Sequence, residues 1–197
     1  MTTEIDLYLA SQSPRRSELL SQIGISFSAL SINIDETPKN NESPQEYVLR
    51  LAKDKAIAGW NIAKQHDKPV LGSDTAVVIN NEILSKPQDS DDAIRMLGLL
   101  SGKTHKVMTA VALVAPSKDS IDPELSETIS VSDVSFKELS AKEIKQYVNS
   151  GECSGKAGSY AIQGLAAAFI THLSGSYSGV MGLPLYETVE LLSNASA

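Results

Sequence analysis

The apolar positions of this chain switch repeatedly between a two-residue and a three-to-four-residue period, and each switch marks an element. Residues 5–10 read as a short apolar strand, and 14–23 carry the spacing of a helix ended by Gly24. A strand at 26–33 leads into a loop holding Thr37, Pro38, Lys39, Asn40 and Asn41, and then a long helix from about 44 to 65. Residues 69–79 form a long apolar run, Asn80-Asn81 a tight turn, and 82–85 a returning strand, which together predict a hairpin. A helix near 89–100, capped by Ser90 or Asp89, follows. Two β-rich runs at 106–115 and 128–137, separated by a polar loop with Pro116, Ser117 and Pro123, suit antiparallel pairing. A helix at 140–149, a glycine-rich stretch, a strand at 166–173, a second glycine-rich loop and a terminal helix opened by Pro184 complete the order. Strands alternating with helices around one hairpin predict an α/β fold with a mixed sheet flanked by helices.

Composition narrows the partners. At 197 residues the chain suits one domain over 1–197 with a substantial core. A net charge of −7 argues against a nucleic-acid duplex or an anionic membrane as the main partner, so any anion site must be built locally. The one cysteine, Cys153, excludes an internal disulfide framework. Nothing near residue 1 reads as a signal peptide or membrane span, and the expected location is cytoplasmic. His66, His105 and His172 are scattered without metal-ligand spacing, which argues against structural zinc.

Three places break the local pattern. Ser11-Gln12-Ser13-Pro14-Arg15-Arg16 puts Ser13 at an N-cap, Pro14 at N1 and two guanidiniums in the first turn. The helix macrodipole disfavours each of those charges by roughly 0.3–1 kcal/mol. A phosphate reverses that sign, and free amides, the Ser11 and Ser13 hydroxyls and both arginines together suit a charged phosphate chain; the alternative is a surface turn whose arginines extend into water. In the long helix, Tyr47, Leu51, Ala58 and Ile62 share one face, flanked by Val48, Ala52 and Gly59, and Lys55 falls at the centre of that apolar arc. The opposite side holds Arg50, Lys53, Asp54, Asn61 and Lys64. A lysine on the buried face needs an anion beside it, or its head must snorkel past the helix edge. Asp74 is the third anomaly, an acid inside the apolar run from Val70 to Ile79. It could bind a divalent ion, take a proton from water, or pair with Lys86 or Lys55. A two-residue turn at Asn80-Asn81 sets Lys86 across from Thr75 and beside Asp74.

Two further segments carry weaker signals. Asp35-Glu36 follows a strand and could supply a metal-binding carboxylate, although a solvated acidic loop has the same composition. The stretch from Gly155 to Gly164 has the glycine density of a loop that approaches a ligand, and Gln163 offers both a donor and an acceptor to a base edge, although a plain connector has the same composition. Ser101-Gly102-Lys103-Thr104 contains a G-K-T triplet, but the preceding glycine, Gly98, is one residue too close for a P-loop, so the segment reads as a turn into a strand. No G-x-G-x-x-G or G-x-S-x-G spacing occurs, which argues against a dinucleotide fold and against covalent catalysis.

In order along nearly the whole chain, these motifs resemble the Maf family of nucleoside triphosphate pyrophosphatases. The likeness runs from Leu7 through Arg16, Ile34-Asp35-Glu36, the segment from Arg50 to Ala56, Gly72-Ser73-Asp74-Thr75 and Ser85-Lys86-Pro87. It continues through the segment from Ser101 to His105, the glycine-rich loop to Gly164, and Gly182-Leu183-Pro184-Leu185. The resemblance implies an elongated α/β fold with a deep central cleft, related to inosine triphosphatases, and a homodimer. It implies hydrolysis to the monophosphate and pyrophosphate, with Asp74 as the proton acceptor and Arg15, Thr75 and Gln163 linked to base choice. Pro14, the Asp74-Thr75 pair and Ile162-Gln163 look like the branch acting on dTTP and UTP rather than on 7-methyl-GTP. Ser11, Ser13, Arg16, Lys55 and Lys86 are then expected on the phosphates. A divalent cation, Mg²⁺ or Mn²⁺, is expected with help from Asp74 or Glu36. The reading from a different class is a non-catalytic nucleotide-binding regulator of septum formation.

Overall fold

The computed structural model describes residues 4–63, 67–117 and 120–196. Seven strands form one sheet: β1 (Leu7–Leu9), β2 (Phe27–Ala29), β3 (Val70–Ile79), β4 (Glu82–Leu84), β5 (Thr104–Ala115), β6 (Glu124–Phe136) and β7 (Ile170–Ser174). The order is β2-β1-β3-β5-β6-β7, with β4 also on β3. β2, β1 and β3 run parallel, and the remaining pairs are antiparallel, so the expected mixed sheet is present. Six α-helices among the described residues flank it: α1 (Pro14–Gln22), α2 (Pro44–Ile62), α3 (Ser90–Leu100), α4 (Ala141–Asn149), α5 (Tyr177–Met181) and α6 (Leu185–Ser196).

β3 organises the molecule. Nine of its ten residues are buried, Thr75 alone being partly open. Helix α2 lies directly on one face: a Cβ at Gly72 would stand 2.3 Å from the Ala52 carbonyl oxygen and 2.6 Å from the Ala56 nitrogen. Only glycine allows that approach. Ser43 and Glu46 close a reciprocal capping box at the start of α2, with Pro44 behind the cap, which fixes where the helix begins. Leu9, Leu20, Leu71, Val111, Leu113 and Leu183 fill a separate core between the sheet and α1 and α6. Asn80 and Asn81 both take positive φ, 51° and 64°, as a type I′ turn demands, and Val77 pairs with Leu84 in the register that this turn sets.

One edge of β3 is divided. β1 pairs with it only at Val70 and Leu71, and β4 only from Val77 to Ile79, while the other edge pairs continuously with β5. Residues 72–76 therefore have no strand on that side among the described residues.

The largest departures of the element boundaries from expectation fall in four places. β2 is three residues long, because beyond the bond from the Leu30 amide to the Leu9 carbonyl (2.8 Å) the chain leaves the ladder. β6 starts at Glu124, since its exposed first residues supply ladder partners for the end of β5. The expected strand at 166–173 begins as a 3₁₀ turn (Leu165–Phe169), burying Ala166 and Phe169 at a spacing of three before β7 starts. Helix α5 occupies a segment expected as loop, capped by Ser176 and ended by Gly182 at φ 116°. The expected end of the long helix near 65, with Lys64 and His66, lies outside the described residues, and α2 itself ends at Ile62.

Candidate active site

A cleft of about 1000 Å³ opens beside Asp74 and Thr75, on the divided strand. All ten residues singled out from the sequence line it: Ser11, Ser13, Arg15, Arg16, Glu36, Lys55, Asp74, Thr75, Lys86 and Gln163. Five basic side chains, the fifth being Lys156, face two acids there, in a chain whose net charge is −7. The local field is cationic against the global one, as an anion site requires.

The pleat of β3 divides the chemistry. Asp74 points toward α2, where Lys55 is buried on the helix face that the periodicity assigned to it. Lys55 Nζ donates to Asp74 Oδ1 at 2.5 Å and lies 2.8 Å from Glu36 Oε1. The lysine therefore does not snorkel; it sits between two carboxylates. Burial pushes the Asp74 pKa above the ordinary aspartate value, while the charges of Lys55 and Arg16 pull against that rise. For Glu36 burial also acts upward, but hydrogen bonds and charge from Lys55 and Lys86 outweigh it, and the carboxyl titrates below its ordinary value. Tyr47 donates its hydroxyl to the Glu36 carbonyl at 3.0 Å and so anchors the backbone carrying this acid. Lys86 does not pair with Asp74. It stands more exposed and bridges to Glu36 Oε2 at 3.3 Å, because β4 ends at Leu84 and the chain turns away before the ladder reaches position 75.

The other face is built from uncharged partners. Arg16 donates to the Gly182 carbonyl (2.8 Å), the Ser11 hydroxyl (3.1 Å) and Thr75 Oγ1 (3.5 Å). Arg15 donates to the Met181 carbonyl at 3.3 Å. The last carbonyls around α5 thus offset the two charges that the start of α1 disfavours. Burial lowers the pKa of both guanidiniums, without threatening their charge near neutral pH. Ser13 occupies the expected N-cap but makes no side-chain cap bond; its amide instead donates to Ser11 Oγ at 3.2 Å. Thr109 Oγ1 lies 2.7 Å from the Gly179 carbonyl and 2.9 Å from Thr75 Oγ1. A hydroxyl has one proton and a carbonyl only accepts, so Thr109 donates to Gly179 and Thr75 donates to Thr109. Thr75 is left with lone pairs alone for the cleft.

A sequence profile of the Maf-like protein family matches residues 6–195. The chain belongs to the Maf-like family. Its relatives include the dTTP/UTP pyrophosphatase of Pseudoalteromonas atlantica, 52% identical over 192 residues covering 96% of this chain and 97% of that one. The dTTP/UTP pyrophosphatase of Salmonella typhimurium is 52% identical over 197 residues, covering 100% of this chain and 95% of that protein. The protein of the same description from Saccharophagus degradans is 51% identical over 189 residues, covering 95% and 87%.

In this Maf-like chain the cleft is also lined by residues that the sequence pattern did not single out. Lys156 reaches the cleft from the glycine-rich loop, its pKa lowered by partial burial and by the charge of Arg15. Its place inside the Gly155–Gly164 motif was the available signal. Tyr160 lines the same wall, with its hydroxyl 2.8 Å from His105 Nε2. Burial holds His105 down to about 4, so the ring is neutral at physiological pH and supports the wall without adding charge. Among the described residues no group of three or more His, Cys, Asp or Glu could hold a metal ion, and no helix is long and apolar enough to cross a membrane.

Proposed function

We propose that this protein hydrolyses dTTP and UTP to the monophosphate and pyrophosphate. The observation that carries the reading is Asp74: a buried acid of raised pKa, ion-paired to Lys55, on the floor of a cationic cleft. Relatives more than half identical over nearly the whole chain, each named a dTTP/UTP pyrophosphatase, support the substrate class.

Lys55 occupies Asp74 Oδ1, which leaves Oδ2 to accept a proton from a water. As the proton moves to Asp74, the water oxygen bonds to the α-phosphorus. The bond from that phosphorus to the α–β bridging oxygen breaks, and pyrophosphate leaves with the electron pair. A raised carboxylate pKa makes a stronger base than free aspartate. Arg15, Arg16, Lys55 and Lys86 hold the phosphates and balance charge developing on the leaving group, a task of positioning and electrostatics. The Ser11 and Ser13 hydroxyls complete the cradle, Ser11 by fixing Arg16.

A divalent cation, Mg²⁺ or Mn²⁺, fits the donor set. Asp74 and Glu36 would hold it through oxygen lone pairs not taken by Lys55 and Lys86, and with two carboxylates lining the cleft among the described residues it would draw its remaining ligands from phosphate and water. When bound, it would neutralise phosphate charge and lower the pKa of water.

Base choice is assigned to Arg15, Thr75 and Gln163. Thr75, a pure acceptor toward the cleft, suits the N3–H donor shared by uracil and thymine, which neutral cytosine lacks. The reading extends to a cytoplasmic homodimer; the buried free Cys153 suits a reducing compartment.

Pyrophosphate release measured over a panel of nucleoside triphosphates with Mg²⁺ or Mn²⁺ tests the proposal. The expected result is fastest turnover of dTTP and UTP. Binding without turnover across the panel would establish instead a nucleotide-binding regulator, and a purine preference would overturn the branch.

A further inference from the structure

Gln163 presents an exposed side chain to the cleft, yet its backbone is held from both flanks by two residues that do not line the cleft. Tyr147, on α4, is 3% exposed, and its hydroxyl accepts the Ala161 amide at 3.3 Å while donating to Glu152 Oε1 at 2.8 Å. Glu152, just beyond α4, accepts the Leu165 amide at 2.9 Å through Oε2 and the Ala166 amide at 3.4 Å through Oε1. One hydroxyl and one carboxylate thus bracket residues 161–166. The fit is tight: a Cβ at Gly164 would stand 2.2 Å from Glu152 Oε2. The Tyr147 ring packs edge-on against Phe169, 5.3 Å between centroids, which fixes the direction of its hydroxyl.

We infer that Tyr147 and Glu152 form a clamp that positions Gln163 for base selection, and so are positioning residues for nucleotide specificity. This rests on the reading of Gln163 as a base selector. The physical case is preorganisation. An exposed side chain selects between bases only if its backbone does not move to suit the wrong one. The 3₁₀ turn that follows supplies free amides at its start, and a carboxylate there satisfies two of them at once. The ring of Tyr147 belongs to the α4 core cluster, so the clamp ties the loop to a rigid part of the fold.

Tyr147→Phe removes the bridging hydroxyl and keeps the ring; Glu152→Gln is the second variant, should the first fold poorly. Two readouts are taken on the full-length protein. The first is amide hydrogen exchange at Ala161 and Leu165. The second is kcat and KM for dTTP against dCTP and dGTP, in each variant and combined with Gln163→Ala. Exchange at these amides is expected to speed up by about tenfold, and discrimination for dTTP to fall several-fold through KM. Combined with Gln163→Ala, the loss should be no greater than for Gln163→Ala alone, since both act through one side chain. Unchanged exchange in both variants, or losses that multiply in the combined variant, overturn the clamp. Native discrimination in Gln163→Ala alone overturns the assignment of Gln163 and with it the link to specificity, while accelerated exchange in Tyr147→Phe would still show that the loop is held.

Discussion

Asp74 and Thr75 are neighbours in sequence and live in different solvents. On the Asp74 side of β3 the two carboxylates meet ammonium groups: Lys55 is shared by both under the cover of α2, and Lys86 holds Glu36 from the more exposed side. On the Thr75 side the two arginines meet carbonyls and hydroxyls, and threonine protons run in one direction to the Gly179 carbonyl. The first arrangement suits the proton acceptor proposed above, and the second makes a fixed pattern of donors and acceptors. A strand offers both within one residue because successive side chains leave opposite faces. The division also separates the responses to pH. Both sides bury charge, but the carboxylates respond to pH, whereas the threonine relay and the arginines are indifferent to it near neutrality.

The sharpest way to break the contrast is Asp74→Asn. Removing the acceptor should lower pyrophosphate release by about 10²–10⁴-fold while nucleotide affinity, read by calorimetry, stays near that of the unaltered protein. Substituting on the same side but sparing the acid, Lys55→Met should lower stability by about 3 kcal/mol in urea unfolding, because Asp74 is left buried without its cation. It should also move the acid limb of the pH–rate profile upward. In the unaltered protein that limb is expected above the 3.8 of an ordinary aspartate. The stability signs of the two acids are opposite. Asp74, raised in the folded state, opposes folding at pH above its folded pKa, and that opposition fades as pH falls through the folded pKa and is gone below the unfolded value. Glu36, lowered, adds stability above its ordinary 4.5 that is lost as pH falls through its folded value. Gly72→Ala probes the contact that places Lys55 over Asp74. A methyl driven against the Ala52 carbonyl should cost about 1–3 kcal/mol, seen as a lower Tm. The smallest effect is expected on the neutral side. Thr109→Val should change dTTP turnover by only about two- to tenfold, with no shift of the acid limb, and dCTP should gain relative to dTTP.

The ionic face was largely legible before any coordinates. Lys55 on an apolar arc and Asp74 in an apolar strand are each costly alone, and one explains the other. The choice between Lys55 and Lys86 as partner of Asp74 was not legible, since it depends on where β4 stops and on Glu36 capturing Lys86. On the neutral face the arginines stood out, but Thr109 did not. A threonine inside a β-rich run is unremarkable until its hydroxyl is seen to meet a carbonyl from a helix seventy residues away. Helix α5 was hidden for a related reason: its five residues hold too little periodicity to register, and its cap and glycine terminator resemble loop composition. The long strands and α2 were legible because their patterns run for ten residues or more.

The divided edge of β3 has a bearing on the life of the protein in a crowded solution. A strand with unpaired amides and carbonyls is a template for a strand from another molecule, and most sheets guard against this with lysines, prolines or bulges. Here the open stretch is five residues, about 17 Å, walled at one end by β1 and at the other by β4. A foreign strand long enough to gain from pairing would collide with both walls. A compact, rounded ligand meets no such obstacle, so the open edge is accessible to a small molecule and closed to a strand.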